Sequence, residues 1–245
     1  MKYTILFLLA ATAAMADVVT VLPGNLQGWT LTDQRSAGNA VINGTHPQSG
    51  NGSLYFTSTS GSDKADFTYA AGGNSLGNLS SLTNVSYDVY REAGSSVGSH
   101  LAPSLRLIFI TPGGVNYLVW EPIYNGVATM PTDTWTSFDA TNGNWWLRQP
   151  GFTVEEYNHS LAYWLADPRV GNAAIVGINT GVGSGWDGTY NGSVDNVRLA
   201  LGAFDKTWNF EARPAAVPEP GEAVTLLSGG LGLLLAASRL RRGRR

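Results

Sequence analysis

The stretch Ser104-Leu105-Arg106-Leu107-Ile108-Phe109-Ile110-Thr111, then Pro112-Gly113-Gly114-Val115, then Asn116-Tyr117-Leu118-Val119-Trp120-Glu121-Pro122 reads as two β-strands and the turn that joins them. Both flanks are rich in β-branched and aromatic residues, and Pro-Gly-Gly is turn chemistry. Leu105, Leu107 and Phe109 recur every second residue, the period at which a strand returns to the same face. A four-residue loop, 112–115, sets Leu107 opposite Trp120 and Phe109 opposite Leu118. It also sets Arg106 opposite Glu121 on the other face, where opposite charges attract across a ladder. One face is then apolar and the other wet, as in a sheet packed on a core.

Similar short runs lie on either side: 18–22, 53–57, 64–69, 85–90, 134–139, 173–179 and 193–201. Leu54/Phe56, Val85/Tyr87/Val89 and Val197/Leu199/Leu201 repeat the alternation. Short strands between turns rich in Gly, Ser, Thr and Asn predict an all-β fold, a two-sheet antiparallel β-sandwich of jelly-roll type. One segment departs from this. Thr153 and Glu156 have capping-box spacing, and Val154, Tyr157, Leu161 and Trp164 recur near a helical period until Pro168. The spacing predicts one short helix within 154–166. From Phe204 to Ala216 the strand pattern fades and Pro214 enters, which predicts a linker over 204–216 and a domain over 17–203.

The whole chain of 245 residues carries a formal net charge of −3, but that balance conceals a division. Residues 17–216 hold nine basic and sixteen acidic residues, a net charge of −7, while five arginines cluster at the end. An acidic domain is poorly suited to nucleic acid, whose binding rests on phosphate neutralisation. No cysteine is present, which excludes disulfides, thiolate nucleophiles and Cys-type zinc sites. About 200 residues are enough to bury a core without such staples.

Both ends are directed at membranes. Lys2 precedes an apolar run from Ile5 to Ala14, and Ala14-Met15-Ala16 is a small-x-small cleavage pattern. Residues 1–16 therefore read as a signal peptide, helical and removed by signal peptidase before Asp17. At the other end stand Val217-Pro218-Glu219-Pro220, an apolar run over 223–238, and Arg239, Arg241, Arg242, Arg244 and Arg245. The run falls just short of the roughly 17–25 residues of a spanning helix, and the arginines would stay cytoplasmic. The order of triplet, apolar run and arginines over 217–245 resembles the PEP-CTERM sorting signal. That resemblance implies a transient C-terminal membrane helix and processing near the triplet by an exosortase partner. It also implies delivery to the cell surface or extracellular matrix, often in bacteria that make exopolysaccharide.

Gly28-Trp29, Gly50-Asn51-Gly52-Ser53-Leu54, Gly185-Trp186 and Gly192-Ser193-Val194-Asp195-Asn196-Val197 resemble the opening and closing strands of bacterial carbohydrate-binding jelly-roll modules. The resemblance implies glycan recognition and a structural calcium ion at Asp195. The Phe-Glu pair that such modules carry ahead of the first Gly-Trp is absent. Read from the residues alone, Asp195 suits a turn-stabilising role better, because calcium needs several more oxygen ligands.

Aromatic residues crowd the second half. Trp145 and Trp146 follow the Asn142-Gly143 turn, and Tyr124 and Trp186 stand near other turns. Sugars lie on exposed rings while nearby polar groups bind their hydroxyls. Trp145, Trp146, Trp186, Glu121, Arg106 and Tyr124 are thus the glycan-binding candidates. Adjacent strand residues face opposite ways, so at most one of Trp145 and Trp146 meets a ligand. Catalysis finds little support. His46, His100 and His159 lack metal spacing, and no Gly-x-Ser-x-Gly elbow occurs. Glu121 with an Arg106 partner suits a salt bridge better than general-acid work. The sequence therefore points to a non-enzymatic surface or matrix protein with a structural or adhesive sandwich. The alternative is a dedicated carbohydrate-binding module bearing a defined glycan pocket. A polysaccharide hydrolase, which needs a pair of carboxylates in an aromatic cleft, comes third.

Overall fold

The structure, a computed structural model, describes residues 16–149 and 156–215. The sorting motif Val217, Pro218, Glu219 and Pro220, nearly all of the signal region, and Thr153 and Val154 of the expected helix start lie outside the described residues. In chain order the strands are β1 (Asp17–Val21), β2 (Trp29–Arg35), β3 (Asn39–Asn43), β4 (Ser53–Ser58), β5 (Lys64–Ala70), β6 (Gly77–Asn78), β7 (Leu82–Arg91) and β8 (Ser104–Thr111). They continue as β9 (Gly114–Trp120), β10 (Trp135–Asp139), β11 (Asn144–Arg148), β12 (Glu156–Ser160), β13 (Ala174–Gly183), β14 (Tyr190–Leu201) and β15 (Phe204–Phe210). Among the described residues one α-helix, α1 (Leu161–Ala166), lies between β12 and β13.

The strands form two sheets that close as a β-sandwich. In the first, β10, β7 and β14 lie side by side, and the far edge of β14 is shared. Its first part pairs with β4, which carries β3, and its last part pairs with β15, which carries β1. The second sheet runs β12-β11-β9-β8-β13-β5-β2, with β6 on part of β13. All pairs are antiparallel except β1 with β15, which are parallel. The core lies between the sheets: Leu54, Phe56, Val85, Val89, Val194 and Leu199 from the first meet Leu105, Leu107, Phe109, Leu118, Trp120 and Ile178 from the second.

The hairpin keeps its expected faces but not its expected register. Thr111 pairs with Gly114, so the turn holds two residues, not four. Leu105 then faces Trp120, and Leu107 faces Leu118. The shift is by two residues, an even number, so every side chain keeps its face. Arg106, however, lies opposite Val119 and not Glu121. Gly114 adopts φ 118°, which lets β9 begin directly after Pro112-Gly113.

The linker reading fails over its first half. Phe204–Phe210 is a strand, and Trp208 and Phe210 are fully buried. Trp208 meets the Trp29 ring edge-on at 5.4 Å and the Tyr69 ring at 4.6 Å. Phe210 meets Trp29 at 5.3 Å. The polar residues between these aromatics, Asp205, Lys206, Thr207 and Asn209, hide a period-two strand. The helix is also shorter than expected. It starts at Leu161, with Ser160 accepting the Tyr163 N–H as N-cap, and Glu156–Ser160 is strand.

Asp195 stands where β14 changes partner from β4 to β15. The ladder skips there, and Asn196 takes φ 49°. One carboxylate oxygen of Asp195 accepts the N–H of Asn196 at 2.8 Å and of Phe210 at 2.9 Å; the other faces the Ser49 N–H at 3.4 Å. The carboxylate therefore replaces missing ladder partners. Glu211 accepts the Asn51 N–H, and a Cβ on Gly52 would stand 2.2 Å from the Ala212 nitrogen. This close packing explains the Gly50-Asn51-Gly52 signal. Among the described residues no group of three His, Asp or Glu is arranged around a metal position. The hydrogen bonds from Asn196, Phe210 and Ser49 serve the turn, and burial raises the Asp195 carboxyl to about 7.

Candidate functional site

Alternation on the central strands of the second sheet sends alternate residues away from the core. Arg106 on β8, Val119 on β9 and Trp146 on β11 fall on one row, because Arg106 pairs with Val119 and Val119 with Trp146. On the other side Arg106 pairs with Asn179 on β13, and Asn179 with Thr68 on β5. One line thus crosses five strands. Most of these residues are shielded from solvent although they face away from the core: Asn179, Arg106, Thr68 and Val119 are all buried.

Burial of polar groups requires partners, and the row supplies them. Arg106 donates through one Nη to Asp66 Oδ1 at 2.6 Å and to Asn179 Oδ1 at 3.0 Å. The amide of Asn179 donates to Thr68 Oγ1 at 2.6 Å, and Thr68 shares a hydrogen bond with Thr32 at 2.7 Å. Lys64 reaches the other oxygen of Asp66 at 2.7 Å and also meets Asp33. Arg35 beside Asp33 is the main cause holding that carboxyl down to about 2. A Cβ on Gly181 would stand 2.2 Å from Asp66 Oδ1, so the glycine lets Asp66 lean across β13 toward Arg106. Burial pushes the Tyr117 hydroxyl up, with Asp66 adding to it.

Rings gather at the β11 end of this face. Trp146 lies 5.2 Å from Tyr157, and Tyr157 lies 5.2 Å from Tyr124, all tilted. Trp146 donates its indole N–H to Glu121 Oε2 at 2.9 Å, which fixes the ring plane. Tyr124 sits on a 3-10 turn, Pro122–Asn125. Asn125 ties that turn to β11, donating to the Asn144 carbonyl at 3.1 Å and accepting the Asn144 N–H at 2.7 Å. Tyr157 is 40% exposed, and Trp146 and Tyr124 are half-buried. The platform thus combines accessible rings, a carboxylate and the polar row.

Four of the six glycan candidates from the sequence share this face: Trp146, Tyr124, Glu121 and Arg106. The expected Arg106–Glu121 pair is not formed, because the tighter turn displaces Glu121 along the strand. Trp145 and Trp186 are corrected to core residues. Trp145 is fully buried and pairs with Trp120 across the β9–β11 ladder. Trp186 is buried with its ring edge-on to Tyr190 at 5.3 Å. Sequence reasoning missed Tyr157, Asp66, Asn179 and Thr68. For Asp66 and Thr68 a signal existed: Lys64, Asp66 and Thr68 alternate with Ala65, Phe67 and Tyr69.

No family model matches the chain, and no curated protein matches it. Solved structures do resemble it at low identity. One is a family 11 carbohydrate-binding module from Clostridium thermocellum in complex with a β-1,3-1,4-mixed-linked tetrasaccharide, 10% identical, with a TM-score of 0.43 over 71% of this chain and 89% of that one. Another comes from work on promiscuous carbohydrate-binding modules of the β-sandwich superfamily, 15% identical, with a TM-score of 0.39. The similarity there covers 71% of this chain but only 57% of the other. A third is a carbohydrate esterase from the Shiga toxin-encoding bacteriophage phi24B, 13% identical, with a TM-score of 0.34 over 71% of this chain and 89% of that one. At these identities and TM-scores neither a ligand nor an activity transfers.

Proposed function

We propose that this chain is an exported protein of the cell surface or extracellular matrix. Its sandwich binds glycan, without catalysis, on the outer face of the second sheet. The observation that carries this reading is the cluster of Trp146, Tyr157 and Tyr124 beside a sheltered polar row. Rings stack on the apolar faces of sugars, and placed polar groups satisfy sugar hydroxyls. Glu121 orients Trp146 before any ligand arrives, which lowers the ordering cost of binding. The address rests on the two ends of the sequence, with signal peptidase and an exosortase as processing partners and exopolysaccharide as the glycan at the destination.

Affinity electrophoresis through gels cast with soluble polysaccharides tests the binding. The wild-type chain should be retarded, and Trp146→Ala should abolish most of that retardation while the thermal midpoint stays close to wild type. Equal retardation of both proteins would sink this site. Saturable binding to one polysaccharide indicates a defined pocket, whereas weak binding to many fits an adhesive matrix role.

A further inference from the structure

The first sheet also carries rings on its outer face, in a row that the reading above does not use. Trp135 on β10 pairs with Tyr90 on β7, Tyr90 with Ser193 on β14, and Ser193 with Tyr55 on β4. These four residues lie on one line across the strands. At roughly 4.8 Å per strand the row extends about 14 Å from β10 to β4. Tyr87, Val89 and Val194 on the same strands point into the core, so parity sends this row outward. Ser193 is the small member, and the gap above it is filled from elsewhere. His46, from the loop after β3, stacks on Tyr90 at 4.1 Å and 20° and stands 5.9 Å from Tyr55. Trp135 extends the series, 5.6 Å from Tyr90.

One carboxylate organises the rings. Glu92 Oε1 takes the Tyr55 hydroxyl at 2.9 Å and lies 2.8 Å from His46 Nε2. Trp135, Tyr90, His46 and Tyr55 are each half-buried, so each ring keeps an accessible part. Asp88 accepts from Gln48 and Asn196 on the same side, and Asp133 accepts the Ala93 N–H close by. The surroundings are therefore acidic and rich in hydrogen-bonding groups. A purely apolar protein partner would strand these carboxylates, and a polyanion would be repelled by them.

We propose that this row is a second glycan-binding platform, one that takes neutral, hydroxyl-rich polysaccharide. The rings supply stacking surface and the carboxylates accept sugar hydroxyls. The two platforms lie on opposite outer faces of the sandwich, so one glycan strand on each face joins two strands through one domain. A domain of this kind cross-links polysaccharide, and bivalent attachment raises avidity without new contacts. The second valence rests on the function proposed above; the platform itself does not.

The test uses the full chain with three soluble probes: neutral mixed-linkage β-glucan, neutral glucomannan and anionic alginate. Binding is read by affinity electrophoresis and cross-linking by the viscosity of dilute β-glucan. At least one neutral probe should retard the wild-type chain. Tyr90→Ala/Trp135→Ala and Trp146→Ala should each weaken binding about tenfold, a loss of ~1.4 kcal/mol, and each should remove the viscosity rise. His46→Ala, which leaves the strands intact, should weaken binding in the same direction and guards against misfolding of the double variant. Unchanged binding and viscosity in both the double variant and His46→Ala would overturn the second platform, even if Trp146→Ala still loses binding. Loss in those variants with none in Trp146→Ala would leave this platform standing and remove the first. No retardation by either neutral probe, or retardation only by alginate, overturns the proposal.

Discussion

Trp208→Ala should be among the most damaging single substitutions in this chain. Trp208 lies on β15 and is fully buried. It packs on Trp29, Tyr69 and Phe204, with centroids 5.4, 4.6 and 6.0 Å away. A buried aromatic side chain removes about 150–250 Å² from water. At ~25 cal/mol per Å² that is about 4–6 kcal/mol. Large-to-small aromatic changes in cores cost about 3–5 kcal/mol when measured. A domain has only about 5–15 kcal/mol in total, so the variant should be barely stable. Urea denaturation followed by far-UV circular dichroism reads the effect. With a slope near ~3 kcal/mol per M, the midpoint should fall by over about 1 M at unchanged slope. A chain ended at residue 203 loses the whole strand, the parallel pairing with β1 and the Phe210 N–H that Asp195 holds. It should show no cooperative transition. A midpoint shift under about 0.3 M, or a cooperative transition in the shortened chain, would refute the assignment of β15 to the core.

Removing one partner of the buried cluster, as in Asp66→Asn, leaves Arg106 without its carboxylate and Lys64 with Asp33 alone, and should cost on the order of 3 kcal/mol; a double-mutant cycle with Arg106→Met giving coupling below about 0.5 kcal/mol would contradict this. The Asp195 carboxyl is raised in the fold from 3.8 to about 7, chiefly by burial, so its contribution is fully present below pH ~4 and is lost as pH rises through ~7. Asp195→Asn should flatten that fall in a plot of thermal midpoint against pH, and an unchanged plot would show that the Asp195 carboxyl titrates alike in the folded and unfolded chain. Glu121→Gln keeps an acceptor for the Trp146 N–H and should leave stability within ~0.5 kcal/mol of wild type; a large loss would mean that the charge itself holds the platform. Intact-mass measurement of surface-exposed protein should place the start near Asp17 and omit the terminal arginines, and a species retaining Arg245 would argue against sorting.

Side-chain parity was legible in the chain because it is encoded by neighbours. Leu105, Leu107 and Phe109 declare one face by alternation alone, and that face survived a two-residue change in register. The strands read at 53–57, 64–69, 85–90 and 193–201 were visible in the chain too, and the structure extends each by one to three residues at one end or both. β2 and β15 were not. Trp29-Thr30-Leu31-Thr32 runs on into Asp33-Gln34-Arg35, and Trp208 and Phe210 stand among polar residues, so local pattern matched loop. Each lies at or beside a sheet edge, where β2 exposes every residue but Trp29 and β15 fully buries only Trp208 and Phe210.

Partner identity belonged to the tertiary structure. Arg106 finds Asp66, forty residues away, and not Glu121, because the two-residue turn and the β8–β13–β5 order bring Asp66 within 2.6 Å. The choice between Trp145 and Trp146 was likewise undecidable locally. Either parity is compatible with Asn144-Trp145-Trp146-Leu147 until Trp120 and Val119 arrive opposite and set one indole in the core. His46 over Tyr90 depends on a loop crossing the sheet, a contact between residues with no shared periodicity. Alternation is a property of adjacent residues and is written in the chain, whereas charge pairs and ring platforms join residues whose approach only the closed sheets determine.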